Sequence, residues 1–131
     1  MSTTHTWSCI CESFKGEVTG DPKLAVFCHC GQCRKYASTA MQLAIWDPSN
    51  FKVIKGDDNI FDYESAPETF RKSCKTCGSF VYKTIKKDAT VVPIGALEGG
   101  PAINPTCHIF CADKGDNNIP FPDLPQHDGF P

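Results

Sequence analysis

The sequence lacks several features that would assign it to a common functional class. Its formal net charge is −2 over 131 residues, so it has no excess of basic residues for binding nucleic acid or anionic lipid. No apolar run is long enough to cross a bilayer, and no basic segment followed by an apolar run precedes the first cysteine, as a signal peptide would require. No internal repeat or low-complexity linker is visible. These absences predict a protein of the cytoplasm, in the cytosol, that binds neither nucleic acid nor membranes.

Cysteine, in contrast, is abundant, with nine residues in the chain. In a secreted protein this number would suggest a disulfide framework. Here the count is odd and a reducing compartment would keep the thiols free. Closely spaced thiols in such a chain more often hold a metal, so we favour metal sites over disulfides or a redox pair.

Most of the chain is predicted to form short strands separated by turn residues. β-branched and aromatic residues are concentrated in eight segments: 23–28, 40–46, 51–56, 59–65, 69–74, 79–85, 90–95 and 107–112. A short helix is expected after Cys30, through "GQCRKYAS". We therefore predict one all-β, mainly antiparallel domain over residues 1–131, with an extended proline-rich tail at about 117–131.

The cysteines fall into short clusters with the spacing of metal ligands. In chain order these are a C-x-C pair, a C-x-C-x-x-C triplet, a C-x-x-C pair and a wider pair: Cys9 and Cys11; Cys28, Cys30 and Cys33; Cys74 and Cys77; Cys107 and Cys111. A C-x-x-C turn directs two thiolates at one point, and Gly78 after the second pair permits a tight backbone. Two such clusters from distant parts of a chain can complete a tetrahedral Zn²⁺ site with Zn–S distances of about 2.3 Å.

The spacing leaves two pairings of the clusters open. In the first, the C-x-C pair and the C-x-x-C pair share one zinc, so protein fills all four positions and the site is structural. The triplet then supplies three thiolates, and three protein ligands with a free fourth position are typical of a catalytic zinc. In the second, the triplet joins the C-x-x-C pair and the C-x-C pair takes no part. The spacing alone does not choose between them.

The order of these motifs resembles the glutathione-dependent formaldehyde-activating enzyme family, which also includes centromere protein V. The matching segments are "CICESFKGEV", "CHCGQCRK", "FRKSCKTCGSFVY", "VVPIGALEGG", "HIFCADK" and "DLPQHDGFP". The resemblance implies an all-β fold of folded-over sheets, a β-tent stapled by zinc. It also implies two zinc ions per chain, a structural zinc on Cys9, Cys11, Cys74 and Cys77 and a catalytic zinc on Cys28, Cys30 and Cys33.

The resemblance further implies a carbon–sulfur lyase activity similar to that of S-(hydroxymethyl)glutathione synthase. In that activity a glutathione-like thiol adds to an aldehyde such as formaldehyde, or the adduct is cleaved, so a small-molecule thiol and an aldehyde are the expected partners. A thiolate-rich shell suits zinc to holding a soft sulfur rather than generating hydroxide. The alternative, from another class, is a non-catalytic zinc-binding module that binds a protein partner.

Several other residues are candidates for the site. We predict His108 as a proton shuttle near the open zinc and Arg34 as a fixed positive fork for a carboxylate of the substrate thiol. The pocket is expected to be floored by residues 28–35 and rimmed by the residues around Glu98 and His108. Glu98 stands where members of the family often carry aspartate, so a substrate other than the founding one is compatible with the resemblance. Cys107 is interpreted as a small apolar residue of the sheet, with a role as fourth thiolate as the alternative.

Overall fold

The computed structural model describes residues 3–115 and 123–131. Within these ranges the chain forms ten strands and one α-helix: β1 (Thr4–Ser8), β2 (Lys15–Thr19), β3 (Leu24–Cys28), α1 (Gly31–Ala37), β4 (Met41–Trp46), β5 (Phe51–Lys55), β6 (Ile60–Ala66), β7 (Thr69–Cys74), β8 (Phe80–Ile85), β9 (Ala89–Pro93) and β10 (Cys107–Ile109). The prediction of an all-β class is confirmed. No helix in the described ranges is both long and apolar enough to span a bilayer.

The strands form two sheets. The smaller sheet has the order β1–β2–β5 and is antiparallel throughout. The larger sheet has seven strands in the order β10–β3–β4–β9–β8–β7–β6. Its neighbours are antiparallel except at one edge, where β10 runs parallel to β3. The predicted antiparallel character is therefore confirmed, and the one parallel pair brings a late segment of the chain beside β3.

The strands β1 and β2 are the two that the sequence pattern missed. Their sequences, "THTWS" and "KGEVT", are rich in polar residues, and glycine in a strand lowers its β-propensity. Packing explains Gly16, because a Cβ atom at this position would lie 2.7 Å from the indole ring of Trp7. Both strands are therefore fixed by tertiary packing that a pattern of single residues does not reveal.

The two sheets pack face to face around a shared apolar core. This core contains Trp7 and Val18 from the smaller sheet and Trp46 and Val92 from the larger one. The indole Nε1 of Trp7 donates a hydrogen bond of 2.8 Å to the carbonyl of Val81. The buried indole is thus satisfied by the opposite sheet, which links the two sheets by a polar contact inside an apolar core.

The opposite face of the seven-stranded sheet carries a second apolar cluster. It includes Val26, Leu43, Val91 and Ile109, together with Cys33 of α1. The helix has seven residues and is therefore about 10 Å long, whereas seven strands about 4.8 Å apart make a sheet about 29 Å wide. Because α1 is so much shorter than the sheet is wide, it covers only part of this second face.

The described part of the C-terminal tail lies beside β10. The backbone N–H of His108 donates to the carbonyl of Pro125 at 2.8 Å, and the N–H of His127 donates back to the carbonyl of His108 at 3.1 Å. Residues 117–122 of the predicted proline-rich tail lie outside the described residues. For residues 123–131, these bonds attach the tail to the edge of the larger sheet.

Candidate metal centres

Four cysteines from two separate connections converge at one point. Cys9 and Cys11 lie between β1 and β2, whereas Cys74 and Cys77 lie at the turn from β7 to β8. The Sγ atoms of Cys9 and Cys11 are 3.6 Å apart, and those of Cys11 and Cys74 are 3.7 Å apart. A tetrahedral site with Zn–S distances of about 2.3 Å requires sulfurs about 3.8 Å apart. The spacing and the donor set of this four-thiol group therefore fit zinc.

Hydroxyl groups surround the sulfurs of the four-thiol group. The Oγ atom of Ser13 lies 3.1 Å from the Sγ of Cys11 and 3.2 Å from that of Cys74. The Oγ atom of Ser79 lies 3.1 Å from the Sγ of Cys77, and hydrogen bonding led by this hydroxyl lowers the pKa of Cys77 to about 5. Because a thiol must lose its proton to bind a metal, these hydroxyls favour the state that holds the ion.

The C-x-x-C turn ends on Gly78, as the sequence predicts. Gly78 has a φ of 77°, a left-handed conformation that glycine adopts without steric cost. Its N–H donates to the carbonyl of Cys74 at 2.8 Å, which closes the turn. The two thiols are thereby held on the same side of the backbone.

Three further cysteines meet where β3 joins α1. Cys28 is the last residue of β3, Cys30 precedes α1, and Cys33 lies in the first turn of the helix. Their Sγ atoms lie within 4.8 Å of one another. The Sγ atom of Cys30 also accepts a hydrogen bond of 3.3 Å from the backbone N–H of Cys33, so this sulfur caps the helix. The Sγ atom of Cys30 therefore has two roles, because it caps the start of α1 and is one of the three sulfurs of this three-thiol group.

The structure distinguishes between the two pairings of the clusters. Cys74 and Cys77 lie with Cys9 and Cys11, so they do not join the triplet. Cys107 belongs to neither group among the described residues. It packs in the apolar cluster of the larger sheet, where burial raises the pKa of its thiol. The three-thiol group therefore offers three protein donors, a set that fits zinc with one position left for another ligand.

Arg71 is the main residue of the site that the sequence analysis missed. It lies on β7 and is 1% exposed. Its Nη2 atom lies 3.6 Å from the Sγ of Cys33 and 3.8 Å from that of Cys30, and its Nε donates to Gln32 at 2.8 Å. A buried guanidinium requires an anionic or hydrogen-bonding partner. In "FRKSC" nothing distinguishes Arg71 from the adjacent Lys72, and only the strand register turns it toward the sulfurs.

The three thiols of this group differ in acidity. Hydrogen bonds from the Cys28 and Cys33 thiols, with a further contribution from the charge of Arg71, lower the pKa of Cys30. Hydrogen bonding to Cys30 and Cys33, followed by burial, raises the pKa of Cys28. A metal ion that binds this group displaces the protons of its thiols, and the charge of Arg71 favours their thiolate form.

A cavity of about 590 Å³ opens beside the three-thiol group. Cys28 and Cys30 line it, and Gln32 and Lys35 of α1 contribute to its wall. Its volume lies in the range of about 300–1,000 Å³ that small-molecule sites occupy. Residues of the 28–35 segment therefore line the cavity, with Cys28 and Cys30 among them, but they form part of its wall and not the expected floor.

His108 is placed differently from the expected rim position. Its Nδ1 atom lies 2.8 Å from the Nε2 of His29, both side chains are buried, and its ring stacks on Phe27 with centroids 5.1 Å apart. Its neighbours Cys107 and Ile109 belong to the apolar cluster beneath the cavity. Because strand residues alternate between faces, His108 points to the other side of the sheet. Among the described residues it does not line the cavity.

Arg34 and Glu98 also lie off the cavity wall in the described part of the chain. The Nη1 atom of Arg34 donates to the carbonyl of Asp113 at 2.9 Å, and Asp113 itself lines the cavity. The carboxylate of Glu98 accepts a hydrogen bond of 2.8 Å from Thr6 and lies 3.9 Å from the Nζ of Lys15. The expectation that Glu98 rims the pocket is wrong, because these contacts hold it over the smaller sheet.

Comparison with known proteins adds three findings. A family model described as "Glutathione-dependent formaldehyde-activating enzyme" matches residues 4–113. A search of curated proteins finds no match. A crystal structure of a Rhodobacter sphaeroides protein is similar, with a TM-score of 0.61 and 20% sequence identity over 92% of this chain and 98% of that one. At this identity the structural similarity shows a shared fold alone.

Proposed function

The chain belongs to the glutathione-dependent formaldehyde-activating enzyme family, and from this premise we propose that it is a zinc-dependent carbon–sulfur lyase. It would join a thiol such as glutathione to an aldehyde such as formaldehyde and catalyse the reverse cleavage. The observation that carries the proposal is the three-thiol group, because two of its cysteines, Cys28 and Cys30, line a cavity. A purely structural site needs no such access.

The two thiol groups have different roles in this proposal. The four-thiol group would hold a structural zinc, since four protein sulfurs fill the four positions of a tetrahedral zinc. The three-thiol group would hold the catalytic zinc, which when bound supplies a position for the substrate thiolate and electrophilic assistance to the aldehyde. None of the nine cysteines forms a disulfide, which is the state that a reducing compartment maintains and supports placing the protein in the cytosol.

The reaction is balanced without an oxidant or reductant. In the forward direction the thiol loses its proton, its sulfur forms a bond to the carbonyl carbon, and the carbonyl oxygen becomes a hydroxyl by taking up a proton. In the reverse direction the carbon–sulfur bond breaks and the hydroxyl gives its proton up again. The protein must therefore hold an anionic sulfur and keep water away from the aldehyde.

Residues around the cavity meet these two requirements. The guanidinium of Arg71 donates toward the sulfurs of Cys30 and Cys33, which stabilises the thiolate form of the group that receives the substrate. Val26 and Leu43, both buried, line the cavity and limit the water that can compete with the thiol. Arg71 is thus a positioning residue, since it acts through the cysteines.

The catalytic roles of His108 and Arg34 stay predictions. His108 would have to act through the buried contact with His29, rather than directly from the cavity wall. Arg34 would act through Asp113, whose carbonyl it binds. From these positions, His108 and Arg34 would stabilise other residues of the site and would not contact the substrate.

The test is the rate of adduct formation between glutathione and formaldehyde, measured by NMR exchange above the uncatalysed rate with zinc-loaded protein. We expect catalysis by the wild type and its loss in Cys30→Ser. The matched control is Cys111→Ser, because Cys111 lies in neither thiol group, and it should retain activity. If the wild type, with metal in both groups, accelerates no thiol–aldehyde pair, the non-catalytic zinc-binding module becomes the better reading.

A further inference from the structure

We propose that the cavity beside the three-thiol group takes a substrate with an apolar organic group, an alkyl or aryl group carried by the thiol or by the aldehyde. This inference rests on the proposed carbon–sulfur chemistry and specifies its substrate class. The addition itself is the balanced step given above. The lining of the cavity determines which substituent, on the sulfur of the thiol or on the carbon of the aldehyde, is bound most tightly.

The floor of the cavity is one continuous apolar face of the larger sheet. Val26 pairs with Leu43, and Ile45 pairs with Val91. Directly paired residues of neighbouring strands place their side chains on the same face. All four residues are buried and line the cavity. A hydrocarbon group laid on this floor loses contact with water on the side that faces the sheet, whereas the charged ends of a tripeptide thiol gain nothing from it.

Among the described residues, α1 covers only part of this floor. As its length shows, α1 spans only part of the sheet, and the cavity extends beyond it to Ile85 on β8. Charged residues do line the cavity, namely Lys35, Lys83, Arg71 and Asp113. Of these, Arg71 is already engaged with the sulfurs of the site and with Gln32. Lys35, Lys83 and Asp113 remain as the charged part of the lining, and the apolar floor is the feature on which a preference for an apolar group rests.

Two buried polar atoms in the cavity wall suit a substrate with a single polar centre. The Nη1 of Arg71 and the Oγ of Ser65 are buried without a hydrogen-bond partner, and both residues line the cavity. Gln32 joins them, since it accepts from the Nε of Arg71 at 2.8 Å and donates to the carbonyl of Ser65 at 3.1 Å. An unsatisfied buried polar group is costly. The oxygen of an aldehyde or of its adduct supplies the missing partner, with the rest of the substrate on the apolar floor.

Two aromatic side chains stand at the margin of the cavity. Phe110 is 36% exposed and Phe130 is 60% exposed, and both line the cavity. The N–H of Phe110 donates to the carbonyl of Gly129 at 3.1 Å, which holds the tail so that both rings lie there. Phe110 has a φ of 54°, an unfavourable conformation for a bulky residue. Such a conformation at a bulky residue that lines a cavity points to a function for the side chain, for which we propose contact with an apolar ligand.

The test compares three thiol–aldehyde pairs with the zinc-loaded protein. Glutathione with formaldehyde is the polar reference. Benzyl mercaptan with formaldehyde places the apolar group on sulfur, and glutathione with hexanal places it on carbon. We expect kcat/KM for one apolar pair to exceed that of the reference about tenfold, in line with burial of a ring or a short chain. The pair that is preferred assigns the group to the thiol or to the aldehyde.

Variants at the margin separate binding from folding. Phe130→Ser and Phe110→Asn should each lower kcat/KM for the preferred apolar pair about tenfold, and should lower it much less for the reference pair, which carries no apolar group to contact these rings. Asparagine tolerates a positive φ, so Phe110→Asn should keep or raise the melting temperature. The matched control is Phe61→Ser, because Phe61 is 56% exposed and lies on β6 away from the cavity lining. It should leave every pair unchanged.

The outcomes distinguish this inference from the function on which it rests. Catalysis of the glutathione–formaldehyde pair with no preference for an apolar pair overturns the inference and leaves the proposed function standing. Catalysis of none of the pairs overturns both. A dimer in light scattering that Phe130→Ser dissociates, with no effect on any pair, would mean that a second copy covers the apolar floor and would also overturn the inference.

Discussion

At the scale of single residues, we expect metal binding by the three-thiol group to depend most on Arg71. It is one of two arginines in the sequence, it is buried, and it donates toward two of the three sulfurs. We expect Arg71→Lys to weaken metal binding at this group by about 10- to 100-fold, the usual effect of removing a partner of a metal ligand. Lysine keeps the charge, but its single ammonium group lacks the planar set of donors with which a guanidinium contacts Gln32 and both sulfurs at once. Competition with a chromophoric chelator measures the affinity.

The control for this prediction is Arg34→Lys. Arg34 donates to the carbonyl of Asp113, not to a sulfur, so this variant should leave metal affinity unchanged. Equal affinity in Arg71→Lys and the wild type, with both proteins folded, would show that the guanidinium does not stabilise the thiolates.

At the scale of secondary-structure elements, the four-thiol group connects the two sheets, because the β1–β2 connection supplies one pair of sulfurs and the β7–β8 turn supplies the other. Cys74→Ser should therefore lower the free energy of unfolding by about 4 kcal/mol or more, as loss of a structural metal does. Cys30→Ser breaks a group confined to the β3–α1 junction, so the fold should survive while metal binding there is lost. Melting temperatures and metal contents of the two variants check this, and equal destabilisation would mean that both groups are structural.

The backbone of Gly56, which lies between β5 and β6, closely approaches the β1–β2 connection at Ser13. Gly56 has a φ of 87°, and a Cβ atom there would lie 2.2 Å from the carbonyl oxygen of Ser13. Gly56→Ala should therefore lower the free energy of unfolding by about 2–4 kcal/mol, from strain and overpacking together. Gly95→Ala, where a Cβ atom meets nothing within 4 Å, should change it by less than about 0.5 kcal/mol. Chemical denaturation measures both, and similar values would rule out the close contact.

For the whole molecule, the sequence predicted the strands, the helix and the cysteine clusters better than it predicted which other residues surround the cavity. Apolar and aromatic strands such as β4 and β9 were predictable, because their burial leaves a local pattern. The short cysteine clusters were predictable because the spacing within each cluster is short-range. The spacing did not show that Cys9 and Cys11 meet Cys74 and Cys77, a pairing that the family resemblance implied. β1 and β2 were not, since packing of Trp7 on Gly16 fixes them.

The position of polar residues around the site was less predictable for a related reason. His108 and Glu98 were expected at the cavity because they stand in recognisable segments. Strand alternation turns His108 away from the cavity, and hydrogen bonding to Thr6 holds Glu98 over the smaller sheet. Arg71 and Ser65 reach the cavity through register across β6 and β7, and register depends on the fold as a whole.

The central claim is that one metal is fully held by protein while the other has a position for a substrate thiol. Cobalt substitution at both groups tests it directly, since sulfur-to-cobalt charge-transfer bands report each added thiolate. We predict that glutathione or benzyl mercaptan intensifies these bands in the wild type and not in Cys30→Ser, where the four-thiol group remains as an internal reference. Spectra unchanged by every thiol, in protein shown to contain both metals, would contradict the account.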